Sequence, residues 1–169
     1  MPDLQFIIHP LDPIFDEHSK VLVLGTMPSP ESREAGFYYG HPQNRFWRVM
    51  AQLFDEPLAR SNDARRSQML AHGVALWDVL AQCEIIGASD ASIRNPKPND
   101  LNPILNAASI RAIFCTGAKS FDLYRQLCES ATGRKAIKLP STSAANAAKR
   151  LPDLVAEFLK RRKFLRKKV

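Results

Sequence analysis

The chain has 169 residues, of which 45% are hydrophobic, and its net charge is +7 at pH 7. This length suits one domain with a sizeable core, and no apolar stretch approaches the ~20 residues that a membrane-spanning helix needs. The positive charge favours a polyanionic partner, because phosphates attract basic surfaces and release their counterions on binding.

The cysteine content and the first residues predict a reducing compartment. The three cysteines, Cys83, Cys115 and Cys128, are far apart and odd in number, which argues against a disulfide framework. No Cys-x-x-Cys pair occurs, so we expect no zinc or iron–sulfur site. The start of the chain lacks the basic and apolar regions of a signal peptide, and we expect a cytoplasmic protein without membrane contact.

In chain order, the apolar pattern predicts a short edge segment and then strands that alternate with helices. Segment 6–8 is apolar and is followed by two prolines, and 21–24 is a continuous apolar run typical of a strand buried on both faces. A helix is predicted from Asn44, where the apolar spacing changes to the helical period. Further strands are predicted at 74–79, 110–115 and 136–139, further helices at 64–72, 101–107, 121–128 and 151–159, and a long polar loop at 87–100.

This alternation predicts the α/β class. We expect a three-layer α/β/α sandwich with a central four-stranded, mostly parallel sheet and helices on both faces. The pattern does not predict the order of the strands in the sheet. We treat residues 1–169 as one domain, with a basic end to its last helix.

Two polar loops follow strands of this sheet. The first begins with Gly25-Thr26-Met27-Pro28-Ser29 and leads to Tyr38-Tyr39-Gly40-His41-Pro42-Gln43-Asn44-Arg45-Phe46-Trp47. The second is Leu139-Pro140-Ser141-Thr142-Ser143-Ala144-Ala145-Asn146. In a parallel sheet both loops would open outside the carboxyl ends of the strands, where open α/β folds bind ligands. A small basic protein with two such loops is a candidate for handling a nucleotide.

These segments resemble the uracil-DNA glycosylase superfamily. The part His-Pro-x-Asn-x-Phe-Trp at 41–47 is shared with mismatch-specific uracil-DNA glycosylases. The segments 25–29, 76–80, 93–96 and 139–143 resemble the hypoxanthine-DNA (deoxyinosine) glycosylase branch more closely. The resemblance runs from about residue 21 to 146, and several spaced matches in order make it specific.

The resemblance implies a DNA glycosylase of base-excision repair, which hydrolyses the N-glycosidic bond of hypoxanthine, uracil or both and leaves an abasic site. No lysine lies in either motif loop to form a Schiff base, which favours a monofunctional enzyme. We expect DNA that contains deaminated bases as the partner, no cofactor and no metal. We also expect a monomer that associates with the nucleoid when bound to DNA.

One position departs from the wider superfamily. Many members carry an Asn or Asp that directs water at the sugar where this chain has Met27, and a thioether cannot polarise water. The resemblance to the hypoxanthine branch points to Asn44 instead, whose carbonyl oxygen could orient water and whose amide could donate a hydrogen bond. The alternative is that Asn44 is a helix N-cap, and one residue can do both.

The chemistry of base excision assigns further candidates. Excision puts positive charge on the sugar and negative charge on the departing base, so hydroxyl groups and backbone N–H groups are needed near both. The flipped base needs an aromatic platform, for which Tyr39 is the candidate, with Tyr38 or Phe37 beside it. The candidate residues are Asn44 and Ser143 for catalysis, Gly25, Thr26, Met27, Pro28, Tyr39, His41 and Asp78 for the base, and Ser29, Ser141, Thr142, Ala144 and Asn146 for DNA.

Asp78 ends a predicted strand where related glycosylases have a base-recognising Asn. Its carboxylate could accept a hydrogen bond from N1–H of hypoxanthine or from N3–H of uracil, so this contact alone does not separate the two. The alternative is a structural Asp that caps the next segment.

Each remaining candidate also has a structural interpretation. His41 could be a hydrogen-bonded structural histidine, the two tyrosines could be half-buried aromatics, and the hydroxyls at 141–143 could form a turn and a helix cap. Trp47 lies at helical spacing and is expected in the core. The basic segments 160–163 and 166–168 are either a solvated helix end or a DNA-attracting tail.

Two other functions compete with the glycosylase. A non-catalytic module that binds damaged DNA is the alternative that Met27 supports. An unrelated α/β phosphate-binding protein lacks a supporting Walker or dinucleotide motif.

Overall fold

The computed structural model describes residues 3–165, which form two β-sheets surrounded by helices. The strands are β1 (Leu4–Ile8), β2 (Val21–Gly25), β3 (Val74–Asp78), β4 (Leu80–Ile86), β5 (Ser89–Pro98), β6 (Ala112–Thr116) and β7 (Ile137–Leu139). The helices are α1 (Pro30–Ala35), α2 (Phe46–Phe54), α3 (Asn62–Ala71), α4 (Asn102–Ala107), α5 (Ala118–Leu127), α6 (Glu129–Thr132) and α7 (Leu151–Leu159), followed by a 3-10 turn (Arg162–Phe164).

The central sheet has four parallel strands in the order β3-β2-β6-β7. Every residue of β2 is buried, as expected for a strand that is covered on both faces. The chain leaves β2 towards β3 on one side and returns to β6 on the other, so the strand order reverses at β2. Open α/β sheets bind ligands at such a reversal, outside the carboxyl ends of the strands.

Alternate residues of the central strands pack into two separate cores. Val21 and Val23 of β2 face a cluster that contains the apolar sides of α2 and α7. Leu22 and Leu24 face a second cluster, which contains α4, α5 and the buried side of β4. The predicted α/β/α layering around a four-stranded sheet is therefore confirmed, with a second sheet added to one layer.

This second sheet was not predicted. It is antiparallel, with the order β1-β4-β5, and it includes most of the segment 87–100 that the sequence analysis assigned to a loop. The prediction was wrong because β5 is an edge strand without a buried residue, so it lacks the apolar alternation of a half-buried strand. Asn95 has a φ of 50°, and β4 and β5 pair with register shifts, which further hides the strand pattern. Segment 6–8 does lie on an edge strand, β1, as predicted.

Two smaller differences concern helices. Helix α1 follows the first motif directly, where no helix was predicted; Ser29 caps it by accepting a hydrogen bond from Ser32 N. The cap position of α2 is Arg45 rather than Asn44, although the Asn44 side chain still accepts from the first helical N–H. Within residues 3–165 no helix is long and apolar enough to cross a membrane. Segment 166–168 of the predicted basic tail lies outside the described residues.

Candidate active site

A cleft of about 380 Å³ opens at the carboxyl ends of β2, β3 and β6. Gly25, Asp78 and Thr116, which end these three strands, form its floor. The cleft is lined by all the candidate site residues from the sequence analysis except Asn146. The fold thus brings together residues that are more than a hundred positions apart, as expected from the shared edge of a parallel sheet.

Asn44 joins the two motif loops. Its Oδ1 accepts hydrogen bonds from the backbone N–H of Phe46 at 2.9 Å and from the hydroxyl of Thr142, also at 2.9 Å. A backbone N–H can only donate, so this contact fixes which end of the amide is oxygen. Both lone pairs of Oδ1 are then in use, and Nδ2 keeps its two N–H donors. The carbonyl oxygen, which we expected to orient water, is therefore engaged in structural contacts.

Arg45 holds the second motif loop by its backbone. The guanidinium donates to the carbonyl oxygens of Thr142 (3.3 Å), Ser143 (2.7 Å), Asn146 (3.1 Å) and Lys149, and the Arg45 backbone N–H donates to Thr142 at 3.0 Å. The sequence alone predicts no role for Arg45, because its partners are backbone atoms that no residue pattern reveals.

The second loop is also stabilised from within. Thr142 is 1% exposed, and its buried hydroxyl is satisfied by the hydrogen bond to Asn44. The Ser141 hydroxyl accepts from Ser143 N, and the Ser143 hydroxyl accepts from the N–H of Ala145. Asn146 does not line the cleft; its Nδ2 donates to the Ser141 carbonyl at 2.9 Å. The turn expected from these hydroxyls is present, but the expected helix cap is not, because the next helix begins at Leu151 with Arg150 as its cap. Ser141, Ser143 and Ala144 also line the cleft.

Asp78 is 5% exposed and lies on the floor of the cleft. Its Oδ2 is 2.7 Å from Nε2 of His9, and Nδ1 of His9 accepts from the backbone N–H of Leu11 at 3.2 Å. Because Nδ1 is an acceptor, the ring proton lies on Nε2 and is donated to the carboxylate. Oδ1 passes over Gly25, where a side chain's Cβ would lie 2.5 Å from it. Glycine is therefore needed at position 25 for close approach.

The first motif forms the wall beside Gly25. Thr26 is 8% exposed, and its carbonyl accepts from Leu80 N at 3.1 Å. Met27 lines the cleft and packs partly against the second core cluster. Pro28 also lines it, and its carbonyl accepts from Nη1 of Arg33 at 2.8 Å. Ser29 lines the cleft and is also the N-cap residue of α1.

Tyr39 is the aromatic side chain best placed for stacking. One face of its ring stacks on Phe46, with centroids 3.9 Å apart and an angle of 12° between the planes. Its backbone has a φ of 52°, a region that costs a non-glycine residue roughly 1–3 kcal/mol and is often found at functional sites. Burial, with a smaller contribution from the Asp78 carboxylate, raises the pKa of Tyr39 and keeps the phenol neutral.

The other aromatic candidates are buried in the core, although Tyr38 also lines the cleft. Phe37 and Tyr38 are each 4% exposed and Trp47 is 3% exposed, so Trp47 lies in the core as predicted. The Tyr38 hydroxyl donates to the Asp12 carbonyl at 2.6 Å, which gives this ring a structural role. His41 lines the cleft, as expected for a site residue. Its Nδ1 also accepts a hydrogen bond from Gln43 N at 3.0 Å, as expected for a structural histidine.

Several lining residues were missed by the sequence analysis. The hairpin between β4 and β5 contributes Ile85, Gly87, Ala88 and Asp90 to the cleft, and its strands were not predicted. His9, which does not line the cleft but hydrogen-bonds to Asp78, was missed as well. The one feature of the sequence that could have indicated it is a histidine at the end of a predicted edge strand. Among residues 3–165, no group of three or more His, Cys, Asp or Glu side chains is arranged to hold a metal ion.

Comparison with known proteins adds an independent result. The model of the family "Uracil DNA glycosylase superfamily" matches residues 13–166. The chain belongs to this superfamily. A hypoxanthine DNA glycosylase of Methanosarcina acetivorans is 30% identical over 79% of this chain and 84% of its own length, and one of Methanosarcina barkeri is 28% identical over 82% and 96%.

A solved structure supports the same relationship. The solution structure of a candidate uracil DNA glycosylase from Methanosarcina acetivorans superimposes with a TM-score of 0.74 at 27% identity, and the match covers 89% of this chain and 95% of that one. The family that the motifs resemble is therefore confirmed.

Proposed function

We propose that this member of the superfamily removes hypoxanthine, uracil or both from DNA by hydrolysis in the cleft between the two motif loops. The predicted activity, a DNA glycosylase acting on deaminated bases, agrees with the family and with the name of both curated relatives. The observation that carries the assignment of the site is the meeting of Asn44, Tyr39 and Asp78 around one cleft.

The base is proposed to stack on Tyr39. Since Phe46 covers one face of the ring, the base would extend an existing aromatic stack from the opposite face. Stacking on an aromatic side chain is worth ~1–3 kcal/mol per base, which offsets part of the cost of flipping it out of the duplex. A neutral phenol suits this role, because an ionised ring would repel the departing base.

Asp78 is proposed to recognise the edge of the base. Its Oδ1 can accept from N1–H of hypoxanthine or N3–H of uracil, whereas adenine and cytosine present a lone pair at the equivalent position and would be repelled. Such a contact selects the deaminated base over its parent in both cases.

Asn44 and Ser143 are proposed to carry the chemistry. Because Oδ1 of Asn44 is occupied, its Nδ2 is the atom available to donate to the departing base and stabilise its developing negative charge. The Ser143 hydroxyl keeps its proton and one lone pair beside its bond to Ala145 N, and it can hold the attacking water. Met27 would take no part in activating the water.

The second motif loop is proposed to bind the DNA backbone. The carbonyl oxygens at 142, 143, 146 and 149 turn towards the Arg45 guanidinium. The hydroxyl of Ser141 lines the cleft beside this loop, and hydroxyls and backbone N–H groups are common phosphate donors. The net charge of +7 adds a sequence-independent attraction to DNA.

We further propose one domain that acts as a monomer in the cytoplasm on nucleoid DNA. Three buried free cysteines, Cys83, Cys115 and Cys128, support a reducing compartment. A non-catalytic module that binds damaged DNA is the second candidate, and the apolar Met27 is the observation that favours it.

Incubation with duplexes that each contain one lesion, followed by alkali, tests the proposal. We expect alkali-labile abasic sites with deoxyinosine or deoxyuridine, no cleavage before alkali, and no product with the parent bases. Binding to the same duplexes without any abasic site would establish the non-catalytic module instead.

A further inference from the structure

His9 and Asp78 form a buried pair that the proposed mechanism leaves unexplained. The His9 side chain is 3% exposed and that of Asp78 is 7% exposed, and Nε2 lies 2.7 Å from Oδ2. His9 follows β1 in the antiparallel sheet, and its backbone N–H donates to the Ala81 carbonyl at 2.8 Å. Asp78 ends β3 of the parallel sheet. The pair therefore connects the second sheet to the floor of the cleft.

The consequence for Asp78 is that its two oxygens differ. Oδ2 accepts from His9, and among residues 3–165 no other side chain or backbone N–H hydrogen-bonds to the carboxylate. Oδ1 lies over Gly25 on the cleft floor. A carboxylate with both oxygens free can accept two parallel hydrogen bonds. The bond to His9, which does not line the cleft, instead holds Oδ2 away from it, so Asp78 presents one oxygen, Oδ1, to a bound base.

A carboxylate with two free oxygens would be the wrong group for this enzyme. Guanine carries N1–H and a 2-amino group side by side, and this pair matches both oxygens of a carboxylate. Hypoxanthine has the same N1–H and carbonyl but only C2–H at the neighbouring position. A freely bidentate Asp78 would therefore favour guanine, a normal base, over the deaminated base.

We propose that His9 is a specificity-determining residue, which makes Asp78 a single acceptor and so excludes guanine from the cleft. Oδ2 keeps a second lone pair, but its bond to His9 fixes the rotation of the carboxylate and holds this oxygen away from the base. When guanine enters, Oδ1 accepts from N1–H and the desolvated 2-amino group is left without a partner. Hypoxanthine and uracil need one acceptor and lose nothing. This inference rests on the proposed function, because it requires Asp78 to contact the base.

Two substitutions of His9 separate its two hydrogen bonds. In His9→Gln the side-chain amide reaches the position of Nε2 and can still donate to Asp78. In His9→Asn the shorter side chain can still accept from Leu11 N but does not reach Asp78. His9→Gln should thus keep the discrimination against guanine. His9→Asn should lose it while the local turn is preserved, because the carboxylate can then rotate and turn both oxygens towards the base.

The test compares single-turnover excision from duplexes with hypoxanthine or guanine opposite thymine. Both bases form a wobble pair with thymine, so the two substrates differ in the 2-amino group. We expect the ratio of the hypoxanthine to the guanine rate to fall about tenfold or more in His9→Asn, the order expected for one good base-edge hydrogen bond, and to stay near the parent ratio in His9→Gln. Where guanine excision is below detection, the ratio of Kd values for non-hydrolysable 2′-fluoroarabino analogues gives the same comparison.

Thermal melting identifies variants that do not fold, and Asp78→Asn shows whether Asp78 contacts the base at all. A parent protein without excision would overturn the proposed function. An unchanged hypoxanthine preference in Asp78→Asn would overturn the base contact on which the inference rests. An unchanged ratio in a folded His9→Asn variant, beside an active parent and a defective Asp78→Asn, would overturn the role of His9 alone.

Discussion

The Thr142 hydroxyl donates to Oδ1 of Asn44 at 2.9 Å, across 98 residues of sequence. This bond makes the two motif loops one structural unit, and Arg45 extends it along the backbone of the second loop. The residue that we assign to catalysis is therefore held by the loop that we assign to DNA binding. A substitution that displaces either loop should therefore also displace the other.

Arg45→Ala should loosen the second loop. The loss of four side-chain hydrogen bonds at a partly exposed site should cost about 1–3 kcal/mol of stability. DNA affinity should fall, and hydrogen exchange of the amides in 143–149 should quicken. Arg48→Ala is the matched control, because Arg48 carries the same charge on the exposed side of α2. If both variants lose affinity equally, the effect of Arg45 is its charge and not the contact with the loop.

Gly25→Ala should disturb Asp78. An added Cβ would lie 2.5 Å from Oδ1, so the carboxylate must move or the strand end must shift, at a cost of roughly 1–3 kcal/mol. The cost should be smaller in an Asp78→Ala background, where the clashing atom is absent. Urea unfolding of the four proteins in this cycle measures the coupling, and equal costs in both backgrounds would refute the contact.

Tyr39→Phe and Tyr39→Leu separate stacking from hydrogen bonding. Tyr39→Phe keeps the ring against Phe46 and removes the long contact to Thr116 Oγ1, so excision should change little. Tyr39→Leu should weaken binding of the extrahelical base by ~1–3 kcal/mol. Kd values for a duplex with a non-hydrolysable deoxyinosine analogue, against an undamaged duplex, measure this. An equal loss on both duplexes would indicate that Tyr39 supports the fold.

Stability should fall as the pH rises above about 9. Burial raises the pKa of Cys115 from 9.0 to about 12 and that of Cys128 to about 11. The unfolded chain ionises these thiols near pH 9 while the folded protein keeps them protonated, so their contribution is complete below pH 9 and is lost as the pH rises towards their folded values. From pH 8 to 10 the free energy of unfolding should drop by about 1 kcal/mol or more. Urea unfolding at both pH values checks this, and Cys128→Ala should show a smaller drop.

Parts of the fold were predictable because their physical signal is local. Strand β2 is buried on both faces, so its continuous apolar run identifies it. Strand β5 has no buried residue, so its sequence looks like a loop and the second sheet stays hidden. The motif loops could be placed together because parallel strands end at one edge.

The partners within the site were less predictable. The bond between His9 and Asp78 spans 69 residues and joins two sheets, one of which the sequence did not reveal. The contacts of Arg45 depend on the direction of backbone carbonyls, which side-chain patterns do not encode. The occupied oxygen of Asn44 follows from the same loop geometry, and it changes which atom of the amide serves the chemistry.

Single-turnover excision of hypoxanthine by Asn44→Asp tests whether Nδ2 of Asn44 donates to the departing base. Aspartate keeps an oxygen for Phe46 N and for the Thr142 hydroxyl, so the fold should be retained, but it lacks the Nδ2 donor. Ser61→Ala is the control for a cap alone, because Ser61 accepts from Ala64 N at the start of α3, and its loss should cost ~1 kcal/mol of stability without affecting excision.

We expect Asn44→Asp to melt near the parent temperature and to excise about 100-fold more slowly or worse, comparable to losing one preorganised hydrogen-bond donor. Excision at close to the parent rate by a folded Asn44→Asp protein would refute the proposed donor role and leave Asn44 as a structural residue.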